Sequence, residues 1–256
     1  MLLCVDIGNT NIKLGLFDGE AMLAHWRIAT DRERMPDEYA VLLSSLLGTR
    51  GNQINDILGC AVSSVVPSLT ETFGELSRQY LQVEPVILSA DTDTGIEIRT
   101  DYPAEVGPDL IVNALAARHL YGTPLVVISF GTATTFGAVS AGGDFEGVAI
   151  APGIISSGDA LFRATATLPR VALTRPPAAI GKNTIRSLQA GLVFGFAGLV
   201  EKLVERIQAE LGGNARVIAT GGLAELIAPE TGVIDAVEPH LALIGLRLLH
   251  DRSIRT

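Results

Sequence analysis

The 256-residue sequence predicts an α/β fold assembled from two similar halves. Three observations lead there. A strand–tight turn–strand unit opens the chain as MLLCVDIGNTNIKLGLFDG, and from Leu125 a similar one returns as LVVISFGTATTFGAVSAGG. Short apolar runs of strand type interleave with longer stretches of helical spacing, the pattern of an α/β protein. A further Gly-rich turn, Ala219-Thr220-Gly221-Gly222-Leu223, follows a late strand.

The elements read in order as follows. Residues 2–5 and 12–17 are strands joined by a turn, and Asp18-Gly19 closes a second hairpin. Residues 25–30 alternate as a third strand, and 35–47 have helical spacing. A strand over 57–66, a helix over 69–81 and a short strand at 86–88 follow. Residues 101–108 read as a loop, and Asp109 opens a helix reaching about Leu120. The second half repeats the opening: a strand at 125–128, a turn at 131–134, a return strand at 136–139, and a hairpin through Gly142-Gly143-Asp144 into 145–150. A long helix spans 184–211, closed by Gly212-Gly213. A strand at 216–219, a turn at 220–222 and a helix over 238–250 end the chain. No linker or low-complexity tract intervenes, so residues 1–115 and 116–256 are expected to form two tightly packed halves.

Composition narrows the class. Hydrophobic residues make up 48% and charged residues 18%, which argues for a globular protein and against disorder. No run of about 18–20 uninterrupted apolar residues suggests a membrane span, and Asp6 interrupts the N-terminal apolar run too early for a secretory signal. Cys4 and Cys60 both lie in apolar strands and read as buried reduced thiols. A net charge of −9 disfavours nucleic-acid binding. Together these predict a cytoplasmic protein with neither membrane nor nucleic acid as partner.

An overlay of the halves at an offset of 123 puts Asp6 on Ser129, Gly8 on Gly131, Asn9 on Thr132, Thr10 on Ala133, Asn11 on Thr134 and Leu16 on Val139. Glycine lets the main chain approach a ligand, and Asn and Thr add short donors. Two such turns facing one another across a cleft would ring a polyphosphate with N–H and hydroxyl donors. An acid at a strand end, Asp6, suits a metal ion or its water shell. The third turn is suited to a nucleoside, because Gly222 has no side chain to block a flat base. Neither a Walker-type loop nor a Gly-x-Gly-x-x-Gly after the first strand is present. Taken singly, Asp109 reads as a helix cap, Tyr102 as a surface aromatic and Thr184 as an N-cap, while Lys13 is either a solvated strand residue or a phosphate neighbour. Ala190, Gly191, Gly195 and Gly198 form a small-residue stripe that would serve an internal helix contact or one between subunits.

Several segments resemble the type III pantothenate kinases, within the acetate and sugar kinase, actin-like ATPase superfamily, whose fold is a duplicated ribonuclease-H-like one. The segments are Asp6-Ile7-Gly8-Asn9-Thr10-Asn11, Tyr102-Pro103 with Gly107-Pro108-Asp109, Phe130-Gly131-Thr132-Ala133-Thr134-Thr135-Phe136, and Ala151-Pro152-Gly153-Ile154. Leu168-Pro169, Ile180-Gly181-Lys182-Asn183-Thr184, the Gly221-Gly222 turn, Glu238-Pro239-His240-Leu241 and Gly245-Leu246 continue the likeness over nearly the whole chain. The resemblance implies phosphorylation of pantothenate by ATP, the first step towards coenzyme A. It puts one phosphate loop on Asp6, Ile7, Gly8, Asn9, Thr10, Asn11, Ile12 and Lys13, with Asp6 towards Mg2+. The second falls on Gly131 and Thr132, the base on Asp109, and pantothenate contacts on Tyr102, Gly107, Pro108, Asp109 and Leu110. It also implies a homodimer, in which Thr184 reaches the neighbouring subunit's substrate, and a monovalent cation, K+ or NH4+.

The chain departs from the family pattern at three places. Ser129 stands where the family has the Asp of its monovalent-cation site, Leu110 replaces an Arg after the base, and Gly137 replaces an Asp. Ser129 removes a carboxylate and Leu110 a guanidinium, each able to make a charge-assisted contact worth about 1.5–3 kcal/mol. Two readings follow: a pantothenate kinase with altered cation use, or a catalytically impaired paralogue that binds nucleotide or regulates.

Overall fold

The computed structural model describes residues 1–89 and 91–254. In chain order its strands and longer helices are β1 (Leu2–Ile7), β2 (Asn11–Asp18), β3 (Ala21–Ala29), α1 (Pro36–Gly48), β4 (Gly59–Ser64), α2 (Pro67–Leu76), β5 (Val86–Ile87) and α3 (Pro108–Tyr121). There follow β6 (Leu125–Phe130), β7 (Ala133–Val139), β8 (Phe145–Pro152), α4 (Ile154–Ala164), α5 (Thr184–Glu210), β9 (Arg216–Gly221), α6 (Ala224–Ile227), β10 (Ala236–Val237) and α7 (Leu241–Ser253). They gather into two compact units. One comprises Met1–Ile96, Asp101–Ala116 and Leu241–Thr256; the other comprises Glu97–Thr100 and Ala117–His240. The chain passes between the units at 96/97, 100/101, 116/117 and 240/241, so its last stretch rejoins the first unit.

Both units carry the ribonuclease-H-like sheet. In the first, the strand order is β3-β2-β1-β4-β5, with β1, β2 and β3 antiparallel and β4 and β5 parallel to β1. The second repeats it as β8-β7-β6-β9-β10 with the same directions. Side chains alternate between sheet faces. In the first unit Leu3, Val5, Ile7, Ile12, Leu14 and Val62 pack with Tyr39 and Leu43 of α1 and Leu69 and Phe73 of α2. The opposite face, bearing Asp6, Lys13 and Gly15, meets α7, since Gly15 lies against Leu243. α7 in turn crosses α3 where Gly245 abuts the Val112 carbonyl. In the second unit Val126, Ile128, Phe136, Val217 and Ala219 pack beneath Val193, Phe196, Val200 and Val204 of α5.

Local chemistry sets the boundaries. α1 and α2 start with proline, whose missing N–H is no loss in a first turn, and the Glu38 carboxylate accepts from the Met35 N–H at 2.9 Å. α5 is capped by Asn183, whose side chain accepts from the Arg186 N–H. α5 is long and apolar enough to cross a membrane by length and composition; its inward residues are those of the second unit's core.

Four sequence expectations shift. The final helix begins at Leu241 rather than 238, because the Glu238 N–H donates to the Ala219 carbonyl at 2.8 Å and continues the pairing of β10 with β9. The helix expected over 69–81 is α-helical only to Leu76 and ends in a wider turn over Ser77–Leu81. α4 was not anticipated. The 123-residue overlay holds as far as the turns, but four residues separate Ile7 from Ile12 and only three separate Phe130 from Thr134. Past the turn Lys13 therefore matches Thr135, and Phe17 matches Val139.

Candidate active site

In the first unit the ladder puts Lys13, Asp6 and Ser63 abreast on one sheet face, on β2, β1 and β4. Asp6 is buried and its Oδ2 lies 3.1 Å from Lys13 Nζ, so Lys13 is an ion-pair partner rather than a solvated strand residue. The turn that follows β1 is closed by the Gly8 N–H donating to the Asn11 carbonyl at 3.0 Å. A strap after β3 ties it down. The Thr30 N–H donates to the Thr10 carbonyl at 3.0 Å, Thr30 Oγ1 to the Gly8 carbonyl at 2.7 Å, and Arg32 Nη2 to Asn9 Oδ1 at 2.8 Å. The strap thus fixes the turn through the carbonyls of Gly8 and Thr10 and the side chain of Asn9.

Asp109 is the second residue of α3, behind Pro108. Gly107 makes room for it, because a Cβ there would stand 2.6 Å from Asp109 Oδ1. Burial raises the Asp109 pKa most, and the Asp6 charge adds to the rise; N–H groups of Leu110 and Asp109 itself, and the Lys13 charge, pull the other way. The result is a carboxylate more basic than usual, beside a second carboxylate and a lysine. A carboxylate poised to take a proton is the requirement for a general base. Tyr102 is 69% exposed and Leu110 half-buried in the same unit.

The second unit repeats the arrangement without charge. Ser129 has Thr135 and Thr220 as ladder partners, a row of three hydroxyls. Its turn is clasped from the start of α4: the Gly153 N–H donates to the Thr132 carbonyl at 3.1 Å, and Ser156 Oγ to the same oxygen at 2.9 Å. Gly153 matches Thr30, so the strap belongs to the repeat. A Cβ on Gly153 would fall 2.6 Å from the Gly131 carbonyl and closer still to that of Thr132, while Gly221, at φ +96°, lies against the backbone of Phe130. At Gly137 an added Cβ would stand 3.0 Å from the ring of Phe145. Gly222 is exposed, as is Thr184, whose hydroxyl is not the helix cap because Asn183 holds that position. Cys4 and Cys60 are free and buried, and burial pushes the Cys60 thiol up to about 12.

Sequence reasoning missed Thr30, Arg32, Ser156, Ser63 and Asn113. The available signal was the repeat itself, carried one strand further, which aligns Thr30 with Gly153.

A family description, type III pantothenate kinase, matches residues 2–206. A relative of that description from Roseiflexus sp. (strain RS-1) is 55% identical over 253 residues, covering 99% of both chains. One from Moorella thermoacetica is 49% identical over 253 residues, covering 99% of this chain and all of the other. Among solved structures, an activator of 2-hydroxyisocaproyl-CoA dehydratase from Clostridium difficile, with bound ADPNP, aligns at TM-score 0.60 and 14% identity over 100% of this chain and 97% of that one. Ethanolamine utilization protein EutJ from Carboxydothermus hydrogenoformans aligns at 0.55 and 16% identity over 96% and 89%. These last two speak to the fold alone.

Proposed function

The chain belongs to the type III pantothenate kinase family, ATP-dependent kinases of coenzyme A biosynthesis, and we propose that Asp109 is the base of its phosphoryl transfer. Asp109 accepts the proton of the pantothenate primary hydroxyl as that oxygen bonds to the γ-phosphorus and the bridging bond to ADP breaks. The observation that carries this role is a buried carboxylate of raised pKa at the start of α3, beside Asp6 and Lys13. Phosphoryl transfer needs mainly positioning and charge neutralisation. The first turn, Asp6 to Lys13, and the second, Gly131 and Thr132, hold the phosphates, and Gly221-Gly222 admits the nucleoside. Tyr102, Gly107, Pro108 and Leu110 contact pantothenate.

The donor set at Asp6 fits a magnesium ion, which takes one or two carboxylates along with nucleotide phosphates and waters. When bound there it would neutralise phosphate charge. The row Thr135, Ser129 and Thr220 offers hydroxyls and no carboxylate, so it lacks the charged ligand that the resemblance implies for a monovalent cation at position 129, and no step here passes through potassium or ammonium.

A soluble cytoplasmic homodimer is part of the same reading. The glycines of the α5 stripe, Gly191, Gly195 and Gly198, are exposed and have nothing within 4 Å of an added Cβ, which leaves them open to a second copy. Ile180 and Ile185, which flank Thr184, are exposed apolar residues consistent with a covered surface. The impaired-paralogue alternative has no observation behind it beyond the replaced residues.

The test is mass-spectrometric detection of 4′-phosphopantothenate from protein, ATP, Mg2+ and pantothenate, beside Asp109→Asn. Product from the parent chain that falls away in the variant supports the assignment. Equal product from both removes Asp109 from the role.

A further inference from the structure

We propose that Ser63 is a positioning residue for the divalent ion assigned above to Asp6, contacting the ion's water shell; the proposal rests on that assignment. Ser63 is the β4 ladder partner of Asp6, so both side chains lie on the same sheet face. It is fully buried, and its Oγ has no hydrogen-bond partner among the described residues. A buried hydroxyl without a partner costs folding free energy, and an alanine of nearly the same shape would not.

A second atom behaves alike. Asn113 lies one turn beyond Asp109 on the same face of α3, is 5% exposed, and its Oδ1 is also unpartnered. Each carboxylate therefore has a buried, unsatisfied polar atom nearby. An amide oxygen only accepts, so a phosphate or carboxylate cannot satisfy it; a donor such as water can. Magnesium retains several of its waters when protein-bound, and those waters donate.

The experiment compares the parent chain with Ser63→Ala, Ser63→Thr and Asp6→Asn. Three quantities are read: Tm without ligand, the rise in Tm on adding Mg2+ with a non-hydrolysable ATP analogue, and the Mg2+ concentration giving half-maximal rate. For Ser63→Ala the ligand-free Tm should be equal or higher, and the ligand-induced rise smaller. Its half-maximal Mg2+ concentration should rise about 10–100-fold, the usual effect of losing an outer-shell partner. Ser63→Thr should restore both, since threonine, at Thr220, fills the matching position of the second unit. A fall in the ligand-free Tm of Ser63→Ala with unchanged Mg2+ dependence would overturn the proposal and mark Ser63 as structural. If Asp6→Asn raises the Mg2+ requirement and Ser63→Ala does not, the inference alone falls. If Asp6→Asn also leaves it unchanged, the assignment of the ion to Asp6 falls first.

Discussion

Gly153→Ala should cripple ATP use without unfolding the protein. The glycine N–H holds the Thr132 carbonyl at 3.1 Å, and an added Cβ would come within 2.6 Å of the Gly131 carbonyl and nearer to that of Thr132. Ordinary contact for such a carbon begins at 3.4 Å. Backbone atoms on the other side of the contact cannot swing away as a side chain can, so the turn must retreat by roughly 1 Å, a displacement able to cost about 100-fold in rate. That loss corresponds to about 2.7 kcal/mol of transition-state stabilisation. Initial rates measured against ATP at saturating pantothenate, and the reverse, give the answer. The kcat/KM for ATP should fall about 100-fold while the KM for pantothenate stays near the parent value. Gly48→Ala at the exposed last residue of α1, where an added Cβ meets nothing within 4 Å, is the control; it should keep full activity and gain up to about 1 kcal/mol of stability. A folded Gly153→Ala enzyme with unchanged kinetics in ATP would refute the claim that the clasped turn holds phosphate.

Three other outcomes follow from the site. Asp109→Asn should lower kcat by about 10²–10⁴-fold. It should also raise Tm near pH 7: the raised pKa means the folded state disfavours ionised Asp109, a deficit absent below the unfolded pKa and present once pH passes the folded one, so the Tm gain of the variant should vanish in acid. Thr30→Val removes the 2.7 Å bond to the Gly8 carbonyl and should cost about 1 kcal/mol in chemical denaturation while raising the KM for ATP. The parent enzyme should turn over equally in sodium, potassium and ammonium buffers, whereas Ser129→Asp should make the rate respond to the cation supplied; an unresponsive variant would count against position 129 as the cation ligand.

The apolar runs of β1, β2, β6 and β7 and the Gly-Asn-Thr and Gly-Thr turns were legible because short apolar runs and turn chemistry are local. So was α5, whose Gly-Gly stop sits within a few residues of its end, though its cap is Asn183 and not Thr184. α4 was not: Gly158 and the pair Ser156-Ser157 weaken an eleven-residue helical pattern that opens straight after Pro152-Gly153. Asp109 needed the family likeness, since as a sequence feature an Asp at a helix start is ordinary, and only its burial beside Asp6 sets it apart. Thr30, Ser63 and Ser156 act through partners 22, 57 and 24 residues away, and such pairings exist only once the strands are in register.

The unequal turns also govern how one half could be rebuilt in the likeness of the other. Transplanting the Asp6–Lys13 pair calls for Ser129→Asp with Thr135→Lys, because the ladder sets those two side chains opposite one another. An ungapped copy would instead put the lysine at Phe136, a ring with no exposed surface at the centre of the second unit's core. A single missing turn residue thus separates a graft that recreates a charged pair from one that drives an ammonium group into hydrocarbon.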